Sequence, residues 1–341
     1  MKFDIVIATY NRPESVRKLV NQINECSKLP ESIIIVDSSD LINLDIQKIK
    51  RVFILRTSHK NQPYQRYLGH LACTSEWVVF FDDDMEVLDA DFLLKLNKIC
   101  ENQTIAGIAM YFENKNGISS LTKIPQSNLF RNFNHLKQLK GYLSGYPELK
   151  NGKYGLCGNR GKQPMNGGVT EWVSGGAFAA RRLDLYQNFN FQLFDIHENG
   201  LGMGEDGILG YTLSKRGRII SNKDPFFIHN DQNDSTYSTD VYQYARRVAF
   251  SRLYLSLEKT RLDNGSLFFA RLHYHYYMFW RVTGLLINYM FASSEKRKKM
   301  LLGTLDGWKL TFGFKFDKNL TVNKYWHNEA MKDLTQNGIS N

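Results

Sequence analysis

The chain has 341 residues, 43% of them hydrophobic and 13% aromatic, with only 7 prolines. That composition excludes a disordered or low-complexity protein, and the length suits one large α/β unit with an appendage or two ordinary domains. A formal net charge of +10 favours anionic partners (nucleotide sugars, phospholipid headgroups, lipid-linked phosphates or nucleic acid) without choosing among them.

Phe3 to Ala8 is a continuous apolar run of the kind that forms a strand covered on both faces, and a helical pattern from Pro13 to about Glu25 follows it. The run is broken at once by Asn11, Arg12 and Pro13, so it lacks the apolar core of a signal peptide, and the expected location is cytoplasmic. Ile33–Val36 and Val52–Leu55 give two more strands, the first ending at Asp37. A helix from about Pro63 to Thr74 then leads into Trp77–Phe81, a buried strand that ends in Asp82-Asp83-Asp84. Three carboxylates at the end of an apolar strand repel one another unless a cation sits there. Alternation along the strand would turn Asp82 and Asp84 to one ion and Asp83 away. Hard oxygen ligands suit Mn²⁺ or Mg²⁺, which leave coordination positions for a diphosphate. Thr9, Asp37 and Asp82 all fall at strand carboxyl ends, where parallel α/β sheets hold their ligands.

A helix from about Ala90 to Cys100 and a strand near Ile105–Tyr111 come next. Residues 113–170 read as a long irregular connection carrying Arg131, Lys137, Lys140, Lys150, Lys153, Arg160 and Lys162, which could help hold an acceptor. Glu171–Ala180 has strand character, with Gly175-Gly176 inside it. Gly204-Glu205-Asp206 opens a helix that ends by Gly217, and strands at Arg218–Ser221 and Phe226–His229 close the first unit. From about Ser238 the pattern is helical and aromatic. Tyr274–Ala292 is the one candidate to cross a membrane, but a mid-helix Arg281 costs roughly 2.5–3.5 kcal/mol on insertion. With Arg271 and Lys296–Lys299 nearby, it reads better as a helix pair on an anionic membrane surface, or as one packed on the main domain. Cys26, Cys73, Cys100 and Cys157 lack the spacing of a zinc site or a disulfide framework and are expected to be reduced thiols.

On these residues the chain resembles the family 2 glycosyltransferases, inverting enzymes of the GT-A fold. The resemblance runs over about residues 3–235 and rests on features in a fixed order. Ile7-Ala8-Thr9-Tyr10-Asn11-Arg12-Pro13 is similar to the family's opening nucleotide loop, and Ile34–Ser39 to the strand whose terminal Asp meets the base. Asn61, Arg66 and Gly69 resemble its intervening helix, with Pro63 and Tyr67 where the family shows Gly and Asn. Gly175-Gly176, Gly204-Glu205-Asp206 and His229 complete it.

The resemblance implies an α/β, GT-A type, mostly parallel (Rossmann-like) sheet flanked by helices with a helical C-terminal extension. It implies a catalytic domain over 1–235, and the residue pattern adds a basic, aromatic helical region over 236–341, a membrane-surface or oligomer contact. Ala8, Thr9, Tyr10, Arg12, Asp37, Arg66, Asp82 and Asp83 would bind the nucleotide sugar. Asp82, Asp84 and His229 would hold Mn²⁺ or Mg²⁺. Asp206 would be the general base, with Glu205 beside it positioning hydroxyls. The implied reaction moves a hexose or N-acetylhexosamine, most simply from a UDP-sugar, to a glycan or lipid-linked acceptor of a surface polysaccharide at the inner face of the cytoplasmic membrane. A Rossmann dehydrogenase is disfavoured, because no Gly-x-Gly-x-x-Gly follows the first strand. Nucleic-acid binding has no motif beyond charge. A metal-dependent phosphohydrolase and a catalytically silent nucleotide-sugar or polyanion-binding protein remain as alternatives.

Overall fold

The computed structural model describes residues 1–41, 49–114, 141, 143–164, 167–222, 225–229 and 240–339. Arg131, Lys137, Lys140 and the expected boundary at 235/236 lie outside them.

Strand β1 (Phe3–Thr9) is buried along its whole length. Phe3, Ile5 and Ile7 pack on one side with Val16, Leu19, Val20 and Ile23 of helix α1 (Pro13–Asn24). Val6 packs on the other side with Tyr64 and Leu68 of α2 (Gln62–Ala72). Burial on both faces is why the strand shows no polar alternation. Asp4, within this strand, is fully buried yet satisfied: it accepts from Thr74 N at 2.8 Å, Ser75 N at 2.7 Å and Ser32 Oγ at 2.7 Å. Strands β2 (Ser32–Asp37) and β3 (Val52–Arg56) follow α1, and β4 (Trp77–Asp82) follows α2. Asn61 caps α2 by accepting from Tyr64 N at 3.3 Å, and Pro63 sits in the first turn, where no N–H is needed.

After β4 come β5 (Met85–Val87), α3 (Phe92–Cys100), β6 (Ile105–Ala109), β7 (Phe112–Asn114), β8 (Val169–Thr170) and β9 (Ala177–Arg181). Helices α4 (Gln192–Glu198) and α5 (Glu205–Ser214) precede β10 (Arg218–Ser221) and β11 (Phe227–His229). The main sheet has the order β3-β2-β1-β4-β9-β6-β10-β8, and β5-β11-β7 form a small second sheet. Six strands of the main sheet run one way, with β9 and β8 against them. This is the mostly parallel α/β sheet, with helices on both faces and a helical C-terminal region, that the sequence implies.

Two local expectations are corrected. The strand expected over 171–180 begins only at Ala177, because Gly175 and Gly176 form a turn whose backbone groups bond elsewhere. Gly175 N donates to Asp206 and Gly175 O accepts from Arg66, while Gly176 O accepts from Asp82 N. Likewise β4 stops at Asp82, so Asp83 and Asp84 lie in a turn to β5 rather than continuing the strand alternation.

Helices α6 (Val241–Leu262), α7 (Leu267–Phe291) and α8 (Glu295–Leu310) form an aromatic bundle. Gly303 and Gly307 let α8 approach α6 closely, since a Cβ at either would lie 2.2 Å from a carbonyl of Tyr242 or Arg246. The last helix, α9 (Asn323–Gln336), returns to α2, where Tyr64 Oη donates to Asp333 Oδ2 at 2.9 Å and Tyr67 Oη meets His327 Nδ1 at 2.8 Å. Tyr67, a departure from the resembled family, is thus an anchor for the C-terminal helix. The four cysteines are buried and unpaired. Among the described residues no helix is long and apolar enough to cross a membrane.

Candidate active site

From β1 the chain winds outward through β2 to β3, then returns to place β4 on the other side of β1. The carboxyl ends of β1 and β4 therefore flank a topological switch point, where open α/β sheets leave a crevice for ligands. Register puts Ala8 opposite Asp82 and Thr9 opposite Asp37 along that edge. Thr9 Oγ1 donates to Asp83 Oδ2 at 2.8 Å, and Arg12 Nη1 donates to Asp83 Oδ1 at 2.9 Å and Asp84 Oδ2 at 3.3 Å. Asp83 is thereby tied to the loop after β1. Burial raises its carboxyl above the usual range despite Arg12.

Asp82, Asp84 and His229 each offer one ligand atom, and the three atoms lie within 4.8 Å of one another. The turn after β4 presents Asp84. The small sheet brings His229 there, because β11 pairs with β5 and sets His229 against Met85. Asp84 Oδ1 is buried without a well-directed hydrogen-bond donor, 3.3 Å from His229 Nε2. Burial pushes Asp84 up, but His229 and Arg12 outweigh it and hold the carboxyl below its usual range. Asp82 is raised to about 7, first by burial and then by Asp84 and Asp83, with Arg66 opposing. A carboxylate cluster under such strain, with one imidazole, fits a divalent cation such as Mn²⁺ or Mg²⁺.

Across from this group, Gly204 adopts the left-handed conformation at φ 83° and starts α5. Asp206 Oδ2 accepts from Gly175 N at 3.0 Å and Arg160 Nη1 at 3.1 Å, and its Oδ1 accepts from Gly207 N at 2.7 Å. Burial disfavours the charge of Asp206, yet Arg160, Gly207 and Arg66 together hold it below the usual carboxylate range. Glu205 goes the other way, raised by burial and by the Asp206 charge. Neighbouring carboxyl groups pushed apart in this way are suited to different roles. Arg66, 1% exposed, joins the two halves: Nη2 donates to Asp82 Oδ1 at 2.5 Å and Gly175 O at 2.9 Å, and Nη1 lies 3.5 Å from Glu205 Oε1. Its contacts are carboxylates and backbone, so it orders the site from beneath.

Asp37 and Tyr10 stand apart from this network. Asp37 accepts from Ser39 N at 2.8 Å and from Arg56. Tyr10 carries Lys60 over its ring at 4.7 Å, and its hydroxyl donates to Asp40 at 3.2 Å. Sequence reasoning missed Gln62, which donates to Asp82 Oδ1 at 2.7 Å, and Gln65, whose Nε2 donates to both Thr9 O and Val36 O at 2.9 Å. Gln62, Gln65 and Arg66 fall at i, i+3 and i+4, a polar stripe on an otherwise buried helix that could have flagged them. It also missed His197, whose buried Nε2 lies 3.6 Å from Glu205 Oε2 without a hydrogen bond. No sequence signal marks it.

The acidic turn thus stands at the switch point of an open, mostly parallel α/β sheet. Residues 4–150 match the family model described as Glycosyl transferase family 2. That match supports a glycosyltransferase and takes in Thr9, Asp37 and Asp82–Asp84, but it ends before Glu205, Asp206 and His229. No curated protein matches the chain in sequence. Among solved structures the chain is similar to Staphylococcus aureus (S. aureus) TarS residues 1–349, at 15% identity and a TM-score of 0.48, over 99% of this chain and 90% of that one. The same TarS fragment in complex with UDP-GlcNAc gives 13% identity and 0.45, over 93% and 94%. Mannosyltransferase PcManGT from Pyrobaculum calidifontis, in complex with GDP-Man and Mn²⁺, gives 13% and 0.46, over 98% and 86%.

Proposed function

We propose that the chain is an inverting, metal-dependent glycosyltransferase of family 2 that takes its sugar from a UDP-sugar. The observation that carries this reading is the convergence of Asp82, Asp84 and His229 at the β1/β4 switch point, bridged by Arg66 to the Glu205–Asp206 pair. Residues 1–235 are the catalytic unit and 236–341 an accessory helical region.

In this reading the nucleotide lies along the carboxyl ends of β1 and β2, with Thr9, Tyr10 and Arg12 around it and Asp37 available to accept from uracil N3. A divalent cation held by Asp82, Asp84 and His229 would neutralise the departing diphosphate. Asp206 takes the proton of an acceptor hydroxyl as that oxygen bonds to the anomeric carbon, and the bond from that carbon to the diphosphate oxygen breaks. One displacement with one base inverts the anomeric centre. Asp206 is suited to this because it is ionised at neutral pH, while Glu205, held towards its protonated form, can hydrogen-bond a sugar hydroxyl. Arg160 lies against Asp206 and over Trp172 at 5.1 Å, at the side from which an acceptor would enter. The acceptor class is a glycan or lipid-linked hydroxyl of surface-polysaccharide synthesis, and the moved group a hexose or N-acetylhexosamine.

Calorimetric titration with UDP, GDP, TDP and CMP, with and without Mn²⁺, tests the reading on the wild type and Asp84→Ala. UDP-selective, Mn²⁺-dependent binding that Asp84→Ala abolishes is the expected result. Absence of nucleotide binding under every condition overturns it.

A further inference from the structure

Helix α7 is apolar on two faces, and among the described residues one is buried by the fold while the other stays largely exposed, with Tyr276 Oη donating to Leu143 O. Ala270, Tyr274, Tyr277 and Met278 are buried against the bundle. On the opposite side Phe268, Leu272, Tyr276, Phe279, Ile287 and Met290 recur at helical spacing and are exposed, Met290 at 73%. At 100° per residue these six positions fall within a single stripe, and no charged residue lies in it. From Phe268 to Met290 the stripe runs about 33 Å. A soluble monomer rarely leaves so long an aromatic face in water, so the face marks an interaction surface.

The charge around the stripe selects its partner. Residues 267–315 contain eight lysine and arginine side chains against only Glu295 and Asp306. Lys296, Lys298 and Lys299 are exposed in the first turn of α8, just past the end of α7 at Phe291. Arg271 and Arg281 turn onto Thr311 O, Phe314 O and Tyr277 Oη, so the exposed charge beside the stripe is that of the α8 lysines. An anionic lipid bilayer complements both features at once, taking the aromatic side chains among its acyl chains and the lysines at its headgroups. Among the described residues no helix is long and apolar enough to cross a membrane, whereas a helix with one apolar face suits the plane of the interface. We infer that α7 and the start of α8 form a docking face for an anionic membrane surface, with the exposed stripe of α7 sunk in the interface. This inference does not depend on the proposed sugar transfer.

Flotation of the full chain with vesicles of equal parts phosphatidylglycerol and phosphatidylcholine, against phosphatidylcholine alone, tests it. The wild type should float with the anionic vesicles and be released by salt. The triple variants Phe268→Ser/Phe279→Ser/Met290→Ser and Lys296→Glu/Lys298→Glu/Lys299→Glu should each lower binding by about tenfold or more, with unchanged circular dichroism. Trp280, on the flank of the stripe, supplies a readout needing no loss of binding: brominated lipid should quench wild-type fluorescence, and Trp280→Phe should remove most of the quenched component. A wild type that stays unbound with both vesicles overturns the inference, as does flotation that neither triple variant weakens. A dimer by sedimentation velocity that dissociates in the serine variant, without vesicle binding, overturns it and makes the face a contact between copies.

Discussion

Arg66 donates to Asp82 at 2.5 Å from a guanidinium that water barely reaches, and the same side chain lies 3.5 Å from Glu205. One cation thus stands between the carboxylates at the end of β4 and those that open α5. The protein brings four half-buried acids, Asp82, Asp84, Glu205 and Asp206, to one crevice, and the buried Arg66 is a positive charge built into its floor. A guanidinium between them attracts both pairs and so offsets their mutual repulsion.

Removing that charge should therefore unbalance the whole crevice. Arg66→Ala is expected to cost about 3–5 kcal/mol, the range for breaking a buried ion pair and leaving its partners uncompensated. Arg66→Lys keeps the charge but cannot reach Asp82, Gly175 O and Glu205 together, and should recover only part of the loss. Urea unfolding of the two variants beside the wild type measures this. A wild-type midpoint for Arg66→Ala would show that the bridge carries no stability.

Asp206 and Arg160 make a second prediction. On the proposed reaction, Asp206→Asn should lower the transfer rate by about 10²–10⁴-fold while leaving UDP affinity unchanged, since a base acts on the proton and not on the nucleotide. Arg160 holds Asp206 below the usual carboxylate range, so the acid limb of the wild-type pH–rate profile should lie lower than an ordinary aspartate would place it. Arg160→Met removes that charge, and the limb should move to higher pH. An unshifted limb in Arg160→Met would mean that the titrating base is another group.

The parts of this site that could be read from sequence are those written locally. Buried runs ending in Thr9, Asp37 and Asp82 reveal strand ends, and the triple aspartate reveals an acidic turn, because both depend on neighbours a few residues apart. What stayed hidden depends on chain segments far apart. Whether Asp84 meets His229 rests on β5 pairing with β11, and the use of Gly175 by Asp206 and Arg66 shortens a strand that its own residues would extend. Tyr67 read as a departure from a motif until His327, 260 positions away, supplied its partner.

The candidate metal site gives a third prediction. Asp84→Asn and His229→Ala should each weaken Mn²⁺ binding by about ten- to a hundredfold or more, the scale seen when a metal's coordination is disturbed. Asp83→Asn, whose carboxylate is held by Thr9 and Arg12 instead, should affect Mn²⁺ less than either. Titration of metal-free protein followed by Mn²⁺ electron paramagnetic resonance distinguishes the three. Equal losses in all of them would place the ion elsewhere in the acidic turn.

His197 should lower the stability of the fold in acid. Burial, and then the charges of Arg247 and Arg66, push its imidazole down to about 3. Above about pH 6.5 both the folded and unfolded chains hold it neutral, so it costs nothing. As pH falls below that value the unfolded chain takes up a proton that the folded chain refuses until about pH 3, and stability drops by about 1.4 kcal/mol per pH unit on this account. Asp82 and Glu205, raised in the fold, act in the opposite sense, so the total curve mixes the contributions. Comparison with His197→Gln isolates the histidine. The stability difference between wild type and variant, from urea unfolding at intervals between pH 7.5 and about 4.5, should shift steadily against the wild type as pH falls below about 6.5. A difference that stays flat across that range would show that His197 takes a proton in the folded chain as readily as in the unfolded one, with Glu205 at 3.6 Å as the partner that permits it.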